Sequence, residues 1–302
     1  MLRTLESNQP IAWLVVPLFS GLILSVWAGV TGVFGPIEIC TELGISWLIL
    51  MATVWTLDIA HRSSGMSDRP TSLPSWTAAL AGTVLLAHGA EREIFAGLFA
   101  VAFSMRLALM ARSGQRATGL MFAASFIAST AALFDFSFIW GVPALLVGMV
   151  YMLRIRPATI MVWAMGALTP WWIAAAVWWL WRGAAAWPMM VDTAPNLRLF
   201  DLDWLQLWPV WVALIWSLIG WVMRTQTLTA ATAQSRRTLM LTSMWSATAL
   251  LAAWALHPGH SPYAWFVIFA AWNAPSAIPR GKVWGSVAVW AQVVMAGVAT
   301  LL

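Results

Sequence analysis

Apolar residues fill this chain in long runs, and polar residues fall in short breaks between them. A helix that crosses a bilayer needs about 20 mostly apolar residues, with a range of roughly 17–25. By that measure the pattern predicts spans at 10–34, 44–60, 74–90, 94–111, 118–134, 136–153, 157–181, 205–223, 239–256, 261–279 and 283–302. The expected fold class is therefore all-α, a polytopic transmembrane helix bundle of about eleven spans forming a single domain over residues 1–302. The first run, 10–34, is too long for the apolar core of a signal peptide and reads as a retained span. The polar-leaning stretches 61–73, 182–204 and 224–238 are each too short to build a core of their own.

Composition supports the same class. The 302 residues are 61% hydrophobic and 9% charged, whereas soluble domains carry about 25% charged residues. A bilayer accommodates that excess of apolar surface, because lipid is itself an apolar solvent. The net charge of +5 does not indicate nucleic acid, since the basic residues sit singly or in pairs between apolar runs. Cys40 is the only cysteine and cannot form an internal disulfide or a thiolate metal cluster.

Those scattered basic residues predict orientation. With a cytoplasmic N-terminus, twelve of the sixteen Lys and Arg residues fall on the cytoplasmic side. Arg92, Arg182 and Arg198 lie opposite, and Arg106 lies within a span. Every predicted cytoplasmic loop then carries at least two basic residues, which is the positive-inside pattern. The expected location is the bacterial cytoplasmic (inner) membrane. Arg112 and Arg116 precede the segment 118–153, and Arg154 and Arg156 come after it, so this segment crosses twice or not at all. As helix it would rise about 54 Å, enough for two tight spans of a ~30 Å core only at the short end. It reads either as a hairpin with Asp135 at the outer surface or as a re-entrant pair holding Asp135 deeper.

Candidate chemistry gathers on the outer side, where eight of the eleven acidic residues fall. Glu38 and Glu42 in the first outer loop are four residues apart, on one face if the loop continues as a helix. Such a carboxylate pair can serve as general base or metal ligand, or form a plain solvated turn. His88, Glu91, Arg92 and Glu93 place acid, base and cation together, suited to proton transfer or phosphate binding, or to an exposed turn. Asp192, Arg198, Asp201 and Asp203 lie in the largest outer segment, with Arg182 at its start, and an Arg fork there can clamp a lipid phosphate. Asp58, near the inner end of the second span, pairs with Arg106 or meets water. His257 and His260 bracket a Pro-Gly turn with no third ligand nearby, so no metal site is expected. The 24 Trp residues suit interfacial anchoring, or a stacking surface for a ring-bearing ligand. Phosphate-loop, nucleophile-elbow and HExxH signatures are missing from the sequence.

Two stretches carry a resemblance. The opening MLRTLESNQPIAWLVVPLFSGLIL, and LFDFSFIWGVPALLVGMVYMLRIRPATIMVWAMGALTPWW at 133–172, resemble an uncharacterised family of polytopic inner-membrane proteins from Bacteroidota. The matching features are SNQP at 7–10, Asp135, Arg156 with Pro157, and Gly166 with Pro170. The central pattern is more distantly similar to GT-C-class membrane glycosyltransferases that use polyprenyl-phosphate sugars. That resemblance implies an acidic residue of the first outer loop, Glu38 or Glu42, as catalytic base; in a transferase, Glu91, Arg92, Asp135, Arg182 and Arg198 are the residues expected to contact substrate or its phosphate. The first outer loop, 35–43, is shorter than is usual for those enzymes. Three roles are therefore expected as alternatives. One is a transferase acting on polyprenyl-linked sugars at the outer leaflet, and another is a scaffold or accessory subunit of an envelope membrane complex. The third is a lipid or solute transporter. Expected partners are membrane lipids, a polyprenyl-phosphate lipid and other envelope membrane proteins.

Overall fold

The structure, a computed structural model, describes residues 10–32, 37–64, 72–111, 117–152, 157–182, 208–226, 233–256, 261–273 and 282–301. Among the described residues there are eleven α-helices, one 3₁₀ helix and no strand. In chain order the helices are α1 (Pro10–Thr31), α2 (Ile37–Ser63), α3 (Leu73–Ala87), α4 (Arg92–Met110), α5 (Ala117–Phe134), α6 (Gly141–Met152), α7 (Pro157–Arg182), α8 (Trp208–Gln226), α9 (Ala233–Leu256), α10 (Ser261–Asn273) and α11 (Lys282–Leu301). The 3₁₀ helix, Phe136–Trp140, leads directly into α6.

Each predicted apolar segment overlaps one of these helices, and the second helix starts at Ile37, inside the predicted loop 35–43. Six are long and apolar enough to cross a membrane: Trp13–Thr31, Cys40–Ser63, Arg92–Met110, Ala117–Phe134, Pro157–Trp181 and Val283–Leu301. Multiple helices of this kind are the hallmark of an integral, multi-pass membrane protein. Large apolar side chains such as Leu18, Leu22, Leu168, Trp172 and Val294 stand exposed on the outer helices. Around a soluble protein such a surface would drive aggregation, whereas lipid solvates it.

Helix ends obey local chemistry. α3 starts at Ser72 with Pro74 in its first turn, where a missing N–H costs no hydrogen bond. It stops at Gly89, whose φ of 81° is open to glycine without a Cβ penalty. The Ala90 N–H donates to the Leu85 carbonyl at 3.1 Å and the Gly89 N–H to the Leu86 carbonyl at 3.2 Å, closing a Schellman motif. At the other break, the Asp135 carboxylate accepts from the Ser137 N–H at 2.8 Å and caps the 3₁₀ helix.

Two helices form the centre. α3 has 15 residues and is buried almost throughout; α10 has 13 and is buried from Tyr263 to Asn273. The length of α3, about 22 Å, falls short of a ~30 Å hydrocarbon core. The two helices pack on one another, and α10 also meets α2, α4, α8 and α9. At the margin, α7 packs mainly on α5, with only 11% of its apolar window buried. That contact is close because Gly166 faces Ser125 and the Phe122 carbonyl, while Ser129 donates to the Ala167 carbonyl at 2.6 Å and accepts from Trp171 Nε1 at 2.8 Å. Small residues and cross-helix hydrogen bonds are the usual means of joining helices in lipid.

Candidate functional site

The ends of five helices meet at one end of the bundle. Asp58, His61 and Arg62 occupy one face of the last turns of α2, spaced i, i+3, i+4. Asp58 is 2% exposed and His61 3%. Arg62 Nε lies 2.7 Å from Asp58 Oδ2, Arg62 Nη2 donates to Ser72 Oγ at 2.8 Å, and its guanidinium lies 5.4 Å from the Trp13 ring of α1. Arg62 thereby ties the first turn of α1 and the start of α3 to the end of α2. Asp58 therefore pairs with Arg62, not with Arg106, which is half-buried on α4.

A second guanidinium arrives from α8. Arg224 donates to the Trp272 carbonyl in the last turn of α10, and its Nη2 lies 3.4 Å from His61 Nε2. A guanidinium only donates, so His61 Nε2 is the acceptor and Nδ1 carries the proton. The His61 ring is also 5.3 Å from the Trp272 indole, whose Nε1 donates to Met105 Sδ of α4 at 3.1 Å.

The dipoles of the two central helices order these charges. Asp58 lies by the N-terminal end of α3, where Ser75 faces its carboxylate. Arg224 lies on the C-terminal end of α10. An anion at a helix N-terminus and a cation at a C-terminus are each in the favourable place. His61 Nδ1 is buried here without a hydrogen-bond partner. Ionisable groups held inside a membrane bundle are costly and mark sites of function.

The residues expected to act at the outer face lie at the opposite end. Glu42 is exposed on the second turn of α2, with Arg92 Nη1 3.9 Å from its Oε1. Arg92 Nε lies 3.0 Å from Glu93 Oε1. Glu91 is the exposed N-cap residue of α4. The structure thus brings Glu42, Arg92 and Glu93 together in an open, solvent-facing ion-pair group, with Glu91 next to Arg92 in the chain. His88 belongs to the same turn, its Nδ1 donating to the Val84 carbonyl at 2.9 Å. Asp135 is half-buried and serves as the cap of the 3₁₀ helix. Glu38 lies in the first turn of α2 and Arg182 ends α7, with both side chains outside the described residues. Asp192, Arg198, Asp201, Asp203, His257 and His260 also lie outside them. Among the described residues, no group of three or more His, Cys, Asp or Glu has the geometry to hold a metal ion.

Sequence reasoning missed His61 and Arg224 as members of a site. The available signal was the spacing in Asp58-x-x-His61-Arg62, which puts three ionisable groups on one face of an apolar helix. Comparison with known protein families, with curated proteins and with solved structures finds no match for this chain.

Proposed function

We propose that this chain is a bacterial inner-membrane transport protein of about eleven spans with a cytoplasmic N-terminus, moving a solute or a lipid headgroup through the bundle. One observation carries this reading: the short, buried helix α3 and the buried helix α10 pack antiparallel at the centre and meet a charged cluster at their ends. Short helices in the two halves of a membrane chain, with termini aimed at a polar centre, are the best pointer to a transporter's binding site. The distribution of basic residues supports an orientation that puts Asp58, His61 and Arg224 towards the cytoplasm.

The test uses inside-out and right-side-out vesicles from cells with and without the chain. Mass spectrometry of vesicle contents and leaflets should reveal at least one solute or lipid that crosses with the native protein and not with Asp58→Asn. Identical vesicles, together with stoichiometric recovery of a protein partner, would replace this reading with that of an accessory subunit or scaffold.

The lipid-linked transferase is the second reading, favoured by the grouping of Glu42, Glu91 and Arg92 at the outer end. In it Glu38 or Glu42 is the base, and Arg92, Arg182 or Arg198 holds phosphate. Native mass spectrometry would then find a bound polyprenyl-phosphate, and Glu38→Gln or Glu42→Gln would abolish sugar transfer with the protein still in the membrane. Activity retained in both variants removes this reading.

A further inference from the structure

α4 shows its surroundings one narrow stripe. Between Ile94 and Leu109 every residue of this helix is buried except Ala96, Phe99, Phe103, Arg106 and Leu107, and Met110 extends the same line at 46% exposed. Ala96, Phe99, Phe103, Arg106 and Met110 follow one another at alternating steps of three and four, so they share one helix face. α2 and α5 pack on α4, and α10 meets it from the centre, which leaves the stripe as the floor of a groove open to lipid.

The charge on that stripe has no counterpart in the protein. Arg106 is the only charged residue from Ile94 to the end of α4, and it is half-buried. Among the described residues it makes no ion pair and no side-chain hydrogen bond, whereas Arg62, Arg92 and Arg224 each have protein partners. Its chain neighbour Met105 accepts from Trp272 Nε1 at 3.1 Å, so Arg106 lies at the depth of the His61 cluster. That is four residues, about 6 Å, inside the end of the helix. A long side chain at such a depth extends its guanidinium to the headgroup layer.

We infer that Arg106 holds the phosphate of an anionic phospholipid in the leaflet at the His61 end of the bundle, with an acyl chain laid along Phe103 and Phe99. The order of groups on the stripe is the order of groups in one lipid. The guanidinium is nearest the helix end, and the stacked rings of Phe103 and Phe99, 6.2 Å apart, continue from it towards the middle of the span. The fork of donors on Arg matches phosphate oxygens two at a time. Charge decides between lipid classes. A zwitterionic lipid brings an ammonium that competes for its own phosphate, whereas an anionic one neutralises the unpaired guanidinium. The site is on the outward face of α4, so it is independent of the transport reading: the lipid is resident, not carried.

The test is native mass spectrometry of the full chain, stripped of lipid in detergent and titrated with phosphatidylglycerol or with phosphatidylcholine of the same acyl chains. The expected result is one phosphatidylglycerol retained at a concentration that leaves phosphatidylcholine unbound. Arg106→Gln should weaken phosphatidylglycerol about tenfold or more, the effect of losing a hydrogen bond between charged partners. Arg106→Lys should lose less, because the charge stays and only the fork is gone. Arg236→Gln removes an exposed charge from the first turn of α9 and should change nothing. Inorganic phosphate equimolar with the lipid should not displace it. Equal retention of the two lipids, undiminished binding in Arg106→Gln, an equal loss in Arg236→Gln, or displacement by equimolar inorganic phosphate would each overturn the proposal. The comparison of the two lipids uses the native chain, so it decides the matter even where a variant fails to fold.

Discussion

Arg224 on α8 and Trp272 on α10 are joined by a hydrogen bond from the guanidinium to a carbonyl that the helix itself cannot satisfy. The last carbonyls of any helix lack intrahelical partners, and inside a bilayer no water stands ready to serve them. Arg224 therefore acts as a side-chain cap on α10, and the same side chain reaches His61.

Replacing Arg224 with Met should remove that cap and leave His61 Nε2 without its donor. The expected loss is about 1–3 kcal/mol, the range for a buried acceptor stripped of a charged partner. Arg224→Lys keeps the charge but lacks the fork, and should fall between Met and the native protein. Denaturant unfolding in mild detergent measures the series. Equal stability of the Met variant and the native chain would contradict the capping role.

The Asp58–Arg62 pair predicts strong non-additivity. Asp58→Asn alone leaves a largely buried guanidinium without its counter-charge, at a cost of about 3–5 kcal/mol. The double variant Asp58→Asn with Arg62→Gln removes both charges and should recover a good part of that loss. A double-mutant cycle on unfolding free energies reads the coupling. Simple additivity would show that the two side chains do not act as a pair.

Gly166 and Gly297 make a matched test of helix contact. A Cβ on Gly166 would lie 2.6 Å from the Phe122 carbonyl oxygen, a backbone atom that cannot turn aside. Gly166→Ala should push α7 off α5 and destabilise the protein by about 1–3 kcal/mol. Around Gly297 there is nothing within 4 Å, so Gly297→Ala should be neutral or slightly stabilising through helix propensity. Melting temperatures of the two variants, measured side by side, decide the point.

The exposed ion pairs at the opposite end of the bundle should behave differently from the buried one. Glu42 and Arg92 are 67% and 55% exposed, and an exposed pair at 3.9 Å is screened by solvent and salt. Glu42→Gln should leave the melting temperature unchanged at low and at high ionic strength. A salt-dependent loss of stability would mean that this pair is more protected than its exposure indicates.

The helices were legible because each is a long apolar run bounded by breakers that the sequence displays, such as Pro74 and Gly89 at the ends of α3. Asp135 marks a break within 118–153, which reads from the sequence as a hairpin or a re-entrant pair, and its carboxylate caps the 3₁₀ helix that starts the second stretch. The cluster was not legible, because its geometry depends on segments far apart in the chain. From the sequence Asp58 is expected to pair with Arg106 or to meet water, whereas Arg62, four residues further along α2, holds it. Arg224 read as one more basic residue beside a loop, since nothing local to α8 indicates that His61, 163 residues away, will meet it. Periodicity reports which face of a helix is apolar and is silent about which distant helix lies against it.

The position of α10 also bears on how the protein is made. The Trp272 carbonyl near the end of α10 has its side-chain partner in lipid only once Arg224 is in place. Its main neighbour, α3, is synthesised some 170 residues earlier. The late-made half of the chain thus uses the early-made half as its template, and a nascent protein truncated before α10 would present the translocation machinery with an unfilled groove along α3, a natural point for quality control to recognise an unfinished molecule.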